Sequence, residues 1–137
     1  LKWPNDIMFD NHKIGGILIE KKKDCIIVGI GLNINDSNLN LEIKNKATSL
    51  KKILNYSIQR EPLLAYILNN IEQLLNYKND KIIKMWLSLC NHINQDINFY
   101  TTKNKLVKAK FVTINSNGEA ILNINGKKEV LQSGFIQ

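Results

Sequence analysis

Residues 13–35 read K-I-G-G-I-L-I-E-K-K-K-D-C-I-I-V-G-I-G-L-N-I-N, and no other stretch narrows the fold as far. Two β-rich runs flank the polar break Lys21, Lys22, Lys23, Asp24, which predicts an antiparallel hairpin. Side chains alternate along a strand. Cys25, Ile27, Gly29, Gly31 and Asn33 therefore share one face, and Ile26, Val28, Ile30, Leu32 and Ile34 share the other. The second face is pure hydrocarbon and is expected in a core. The first carries two missing side chains followed by a carboxamide. Glycine weakens a strand unless something must approach the backbone closely, so this face has the outline of a ligand groove.

The same parity groups Lys13, Gly15, Ile17 and Ile19 in the first run. A turn with an odd number of loop residues would bring Lys13 onto the glycine face near Asn33. An even number would put it on the opposite side, and the sequence leaves both registers open. If the faces join, Gly29 to Asn33 spans roughly 13 Å at about 3.3 Å per residue, a length that suits a small apolar ring system joined to a nucleotide.

Four motifs follow one another: K-W-P-N-D at residues 2–6, K-I-G-G-I-L-I-E at 13–20, G-I-G-L-N-I-N at 29–35 and A-T-S-L at 47–50. In this order and spacing they resemble the biotin-protein ligases. The resemblance implies an α+β fold. Residues 1–92, a mixed or antiparallel sheet with helices, would be the C-terminal part of the ligase catalytic domain, and residues 93–137 a small SH3-like β-barrel. It also implies a two-step reaction. Biotin and ATP, with Mg2+ accompanying the nucleotide, give biotinyl-5′-AMP and pyrophosphate. A lysine of an acceptor protein, such as the biotin carboxyl carrier domain of a carboxylase, then takes the biotinyl group.

Carried over residue by residue, the resemblance makes Lys13 the catalytic cation that meets the biotin carboxylate and the α-phosphate. Two anions must come together in that step, and negative charge grows on the phosphoryl oxygens. A fixed ammonium offsets both. Read without the resemblance, a lysine at a strand start is more often a solvated end charge. Asn5 would hydrogen-bond the purine, and Asp6 would orient a metal-bound or phosphate-linked water, whereas the bare dipeptide after Pro4 reads as a turn cap. Gly29 and Gly31 would let biotin lie flat on the strand. Ile17 and Ile19, with Leu18, match tail-lining positions and serve equally well as core. Asn33, both donor and acceptor, would read the adenine edge. G-I-G-L-N is not a dinucleotide fingerprint, since it lacks the third glycine and no helix follows at once. No residue is assigned as a metal ligand.

Ligases of this family carry, upstream of K-W-P-N-D, a Gly/Arg-rich loop that closes over biotin and the adenylate phosphate. The chain opens at Leu1, directly in the motif, so residues 1–137 are expected to be part of a longer polypeptide and poorly active alone.

The remainder reads as scaffold. Residues 36–46 form a polar loop, which in the resembled family orders over the adenylate and shields it from water. A helix capped by Thr48 or Ser49 follows, to about Asn55. Apolar positions 64, 67, 68, 71, 74 and 75 predict a helix over 61–77, and Ile82, Ile83, Trp86, Leu87 and Leu89 another over 80–89. Short strands are expected at 96–102, 106–115, 120–125, 128–131 and 135–136.

Net charge is +7, from 19 Lys+Arg against 12 Asp+Glu, and Arg60 is the only arginine. Residues 1–93 carry 13 basic and 9 acidic groups and residues 94–137 carry 6 and 3, so the excess reads as spread over solvated surface. A nucleic-acid binder concentrates it with arginines and exposed aromatics. Cys25 and Cys90 are too few for a metal site or a disulfide framework, which fits a reducing, cytoplasmic setting. No apolar run approaches the roughly 18 residues a membrane span needs. Hairpin edges offer pairing to a second subunit, giving a homodimer, or to the acceptor domain. Two other readings stand beside the ligase: a lipoate-protein ligase or octanoyltransferase relative, which shares the fold and the lysine logic, and a non-enzymatic, lysine-rich nucleic-acid-binding module built on the barrel.

Overall fold

A computed structural model describes residues 1–37 and 46–137. Among the described residues, two antiparallel sheets and three helices give an α+β architecture. The predicted loop at 36–46 lies, apart from its ends, outside the described residues, and so does its expected closure over an adenylate.

The first sheet has the order β1-β2-β3, with β1 Asp6–Phe9, β2 His12–Lys22 and β3 Cys25–Leu32. Asp10 and Asn11 turn the first corner at positive φ, which short polar side chains tolerate. Lys23 and Asp24 turn the second. After β3 come α1 (Leu50–Leu54) and α2 (Arg60–Leu75), and these elements form one compact unit, residues 5–75. Ser49 is the N-cap of α1. Its buried hydroxyl accepts from the Lys52 amide at 3.4 Å and donates to the Asp36 carbonyl at 2.8 Å.

The expectation that Ile26, Val28 and Ile30 are core is not met. They are 67%, 51% and 38% exposed, and no apolar side chain of this unit is fully buried among the described residues. Among the described residues no layer of the unit encloses these side chains, so alternation alone did not supply a core. On α2 the half-buried stripe runs through Leu63, Ile67, Ile71 and Leu74, while Leu64, Leu68 and Leu75 of the predicted stripe face solvent.

The second compact unit joins residues 1–4 to residues 76–137. Its sheet has the order β7-β6-β5-β4-β8, from β4 Asp96–Tyr100, β5 Leu106–Ile114, β6 Ala120–Ile124, β7 Lys127–Leu131 and β8 Phe135–Ile136. Helix α3 (Asn79–Leu89) belongs to the same unit. Core positions alternate: Ile97 and Phe99, Ala109 and Phe111, Ala120 and Leu122. Phe111 and Ile114 are both buried although they are three positions apart, because the register slips between Phe111 and Thr113 and restores Ile114 to the inner face. Trp3 completes this core, 6.0 Å from the Phe99 ring, with its indole N–H donating to the Gly118 carbonyl at 3.0 Å. Trp86 packs against the core as predicted, whereas Leu89 is exposed.

Charge follows these units more closely than it follows a cut at residue 93. Ten lysines against four acids place +6 of the +7 in the unit of residues 1–4 and 76–137.

Candidate functional site

The hairpin register is even. Lys22 faces Cys25 across the two-residue loop, so Gly31 lies opposite Gly16 and Gly29 opposite Leu18, while Ile17 meets Ile30 and Ile19 meets Val28. Simple alternation from Ile17 would carry Lys13 to the aliphatic face. A β-bulge reverses it. Along β1 the partners run Asp6 with Gly16, Ile7 with Gly15 and Met8 with Lys13, so that Ile14 is an extra residue on β2. Asp6 and Met8 share a face of β1, and Lys13 therefore joins Gly16 and Gly31.

Side-chain geometry agrees. The Lys13 Nζ lies 2.5 Å from an Asp6 carboxylate oxygen. It also stands 3.5 Å from where a Cβ on Gly16 would be. The Lys13 backbone is held on its other side: its N–H donates to the Lys46 carbonyl at 2.8 Å and its carbonyl accepts from Thr48 at 2.9 Å. The A-T-S-L segment is thus zipped onto the start of β2.

Asn33, just past β3, ties the same segments together. Its N–H donates to the Ile14 carbonyl at 2.8 Å, its side-chain amide to the Thr48 carbonyl at 3.1 Å, and its own carbonyl accepts from Leu50 at 2.9 Å. One side-chain donor of Asn33 is thereby committed to the fold, and among the described residues Oδ1 keeps its acceptor capacity. The Asn5 carbonyl accepts from Ile17 at 2.9 Å, and its side chain is exposed.

The glycines divide by role. A Cβ on Gly15 would sit 2.6 Å from Leu32 Cδ2 and closer still to the Gly31 carbonyl, so Gly15 is required by the approach of the two strands. A Cβ on Gly29 or Gly31 would meet nothing nearer than 3.8 or 3.9 Å. Among the described residues, packing does not demand glycine there and the space above the strand is left open.

Lys13, Asp6, Gly29 and Gly31 thus come together on one face, with Asn33 and Asn5 bound into the adjoining backbone. Ile17 and Ile19 do not join them. They lie on the aliphatic face, and the side chain that flanks the glycines is Leu18. Parity from Lys13 missed this because it cannot register a bulge. The K-I-G-G run, with paired glycines just past the extra residue, is the signal that points to one.

A second polar cluster, in the other unit, places the Cys90 thiol 3.4 Å from His92 Nδ1. Burial pushes the thiol up, and burial followed by the N-terminal and Lys2 ammonium groups holds His92 down to about 4. Both are neutral near pH 7, so this is a packed pair and not an activated nucleophile. Among the described residues no three His, Cys, Asp or Glu side chains are grouped to hold a metal.

Residues 1–33, which contain the Lys13–Asp6 pair and both groove glycines, match the model of the biotin/lipoate A/B protein ligase family. Over 75 residues the chain is 36% identical to the bifunctional ligase/repressor BirA of Bacillus subtilis, covering 50% of this chain and 23% of that protein. Over 80 residues it is 30% identical to the biotin–[acetyl-CoA-carboxylase] ligase of Mycobacterium tuberculosis, covering 58% and 29%. The biotin protein ligase of Aquifex aeolicus, solved with biotin and ATP, superimposes on the whole chain with a TM-score of 0.81 at 28% identity, the chain covering 60% of it. The chain is thus similar to biotin-protein ligases in the sequence of its first part and in its fold. The chain spans about a quarter of the length of the curated relatives it matches. It spans about three-fifths of the solved Aquifex ligase.

Proposed function

We propose that this chain supplies part of a site that activates biotin with ATP to biotinyl-5′-AMP, releasing pyrophosphate, and passes the biotinyl group to a lysine of an acceptor protein. One observation carries the reading: the bulge turns the Lys13 ammonium onto the same face as the open strand at Gly29 and Gly31. A flat apolar ring would rest on that strand, and its carboxylate would meet the ammonium. Lys13 then offsets the repulsion between carboxylate and α-phosphate and the charge that develops as they join. Leu18 borders the ring, and Asn33 Oδ1 and Asn5 face the purine. Ile17 and Ile19 support the sheet from its far side.

Asp6 is a single carboxylate already paired with Lys13, and no cluster of acids surrounds it among the described residues. That donor set fits a Mg2+ ion that arrives on the nucleotide phosphates better than one held by the chain. In this reading residues 1–92 serve as part of the catalytic domain. Residues 93–137 serve as an SH3-like domain beside the acceptor, such as the carboxyl carrier domain of a carboxylase, in the cytoplasm.

The lipoate reading retains one supporting observation, since the matched family model spans biotin and lipoate ligases alike. Calorimetric titration of residues 1–137 separates the readings. Binding of a non-hydrolysable biotinyl-adenylate analogue, with lipoyl-adenylate at least tenfold weaker, supports biotin. The reverse order assigns lipoate. Binding of neither, with affinity for single-stranded nucleic acid that falls steeply with salt, assigns the basic unit instead.

A further inference from the structure

The structure assigns Asp6 a positioning role toward Lys13, in place of a direct role on nucleotide or metal. The inference deepens the function proposed above and rests on it for the identity of the ligand. Its warrant is local. The bulge brings Lys13 to the glycine face, but a lysine has four rotatable bonds, and backbone placement alone leaves its ammonium free to swing into solvent. Asp6, the cross-strand partner of Gly16, stops that motion with a contact of 2.5 Å. Gly16 makes the path, because the Lys13 Cε and Nζ both lie 3.5 Å from where its Cβ would stand. Any larger side chain at residue 16 would compete with the lysine for that volume.

The ammonium carries three N–H donors and Asp6 takes one direction of approach. The remaining donors stay available to an anion on the open side of the strand. Asp6 is about a quarter exposed and Lys13 about half, so the pair is firm enough to bias the rotamer yet open to a ligand. The chemistry recognised is a carboxylate or phosphate attached to a flat apolar group, bound with Asp6 still in place. Asp6 acts through the lysine and touches no reacting atom.

The test uses the full chain of residues 1–137 with Asp6→Asn and, as rescue, Asp6→Glu. A first arm needs no ligand. The acylation rate of Lys13 by a water-soluble succinimidyl ester is read by peptide mapping relative to Lys46 and Lys51. Release of the ammonium in Asp6→Asn should raise the Lys13 ratio about five-fold, and Asp6→Glu should restore it; an unchanged ratio overturns the inference. A second arm compares biotin with neutral biotinamide. Loss of preorganisation should weaken biotin about five-fold in Asp6→Asn and leave biotinamide unchanged. Tighter biotin binding in that variant would make Asp6 a competitor for the cation, and equal loss for both ligands would make it structural. Either overturns the inference. If the wild-type chain binds neither ligand, the ligase reading fails and the acylation arm alone decides the role of Asp6.

Discussion

The Lys13 ammonium lies 2.5 Å from the Asp6 carboxylate, although hairpin alternation counted from Ile17 sets Lys13 on the other side of the sheet. One extra residue, Ile14, accounts for the difference, since it shifts the register between Ile7 and Met8. The same residue lends its carbonyl to the Asn33 amide, so the bulge that aims the lysine also anchors the end of β3.

Replacing the lysine should separate binding from folding. Lys13 is half exposed and its backbone, not its side chain, makes the bonds to Lys46 and Thr48. Lys13→Ala should therefore change thermal stability by less than about 1 kcal/mol, the range of an exposed ion pair. Affinity for a biotinyl-adenylate analogue should fall at least tenfold, as expected for loss of a charge-assisted hydrogen bond. Equal affinity by calorimetry would remove Lys13 from the site.

Two glycine substitutions should behave in opposite ways. Gly15→Ala places a methyl inside the Gly31 carbonyl and the Leu32 side chain, and should destabilise the hairpin by about 2 kcal/mol in urea titration. Among the described residues, Gly31→Ala meets only the Gly16 carbonyl at 3.9 Å. It should leave folding intact or slightly improved while weakening the adenylate analogue about tenfold, because the methyl occupies the open strand. Matching losses in both variants would show that Gly31 is structural.

Acid should loosen the unit built on the second sheet. His92 is buried against Phe111, with ring centroids 4.3 Å apart, and its pKa is held near 4 from an ordinary 6.5. The unfolded chain takes up the proton first as pH falls. Stability present above about pH 6.5 is therefore lost progressively down to about 4, on the order of 3 kcal/mol in all. His92→Gln should flatten that part of the profile. A wild-type curve no steeper than the variant's between those limits would contradict the burial of His92.

The cap of α1 gives a smaller effect. Ser49→Ala removes both the acceptor for the Lys52 amide and the donor to the Asp36 carbonyl. A cost of about 1–2 kcal/mol is expected, seen as faster amide exchange at Lys52. Unchanged exchange there would rule out the cap.

The hairpin, both helices beyond α1 and all five C-terminal strands were legible within a few residues, because period-2 and period-3.6 patterns and Asn/Gly turns are local properties of the chain. The four motifs likewise carried the resemblance to biotin-protein ligases, and they contained Lys13, Asp6, Gly29 and Gly31. Burial was not legible. Ile26, Val28 and Ile30 are as apolar as Phe99, Phe111 and Leu122, yet only the latter are enclosed, since a face becomes core only when another layer meets it. Nor could the motif K-W-P-N-D announce that its Trp3 completes a core built from residues more than 90 positions away.

Sequence alone determined which residues could bind an anion and a flat ring, because charge and the absence of a side chain belong to the residue type. Tertiary structure decided which of them share a face. A two-residue loop set the pairing of β2 with β3, and one bulged residue moved Lys13 across the sheet to Asp6. With a side-chain period of two, a shift of a single residue reverses every facing relationship beyond it.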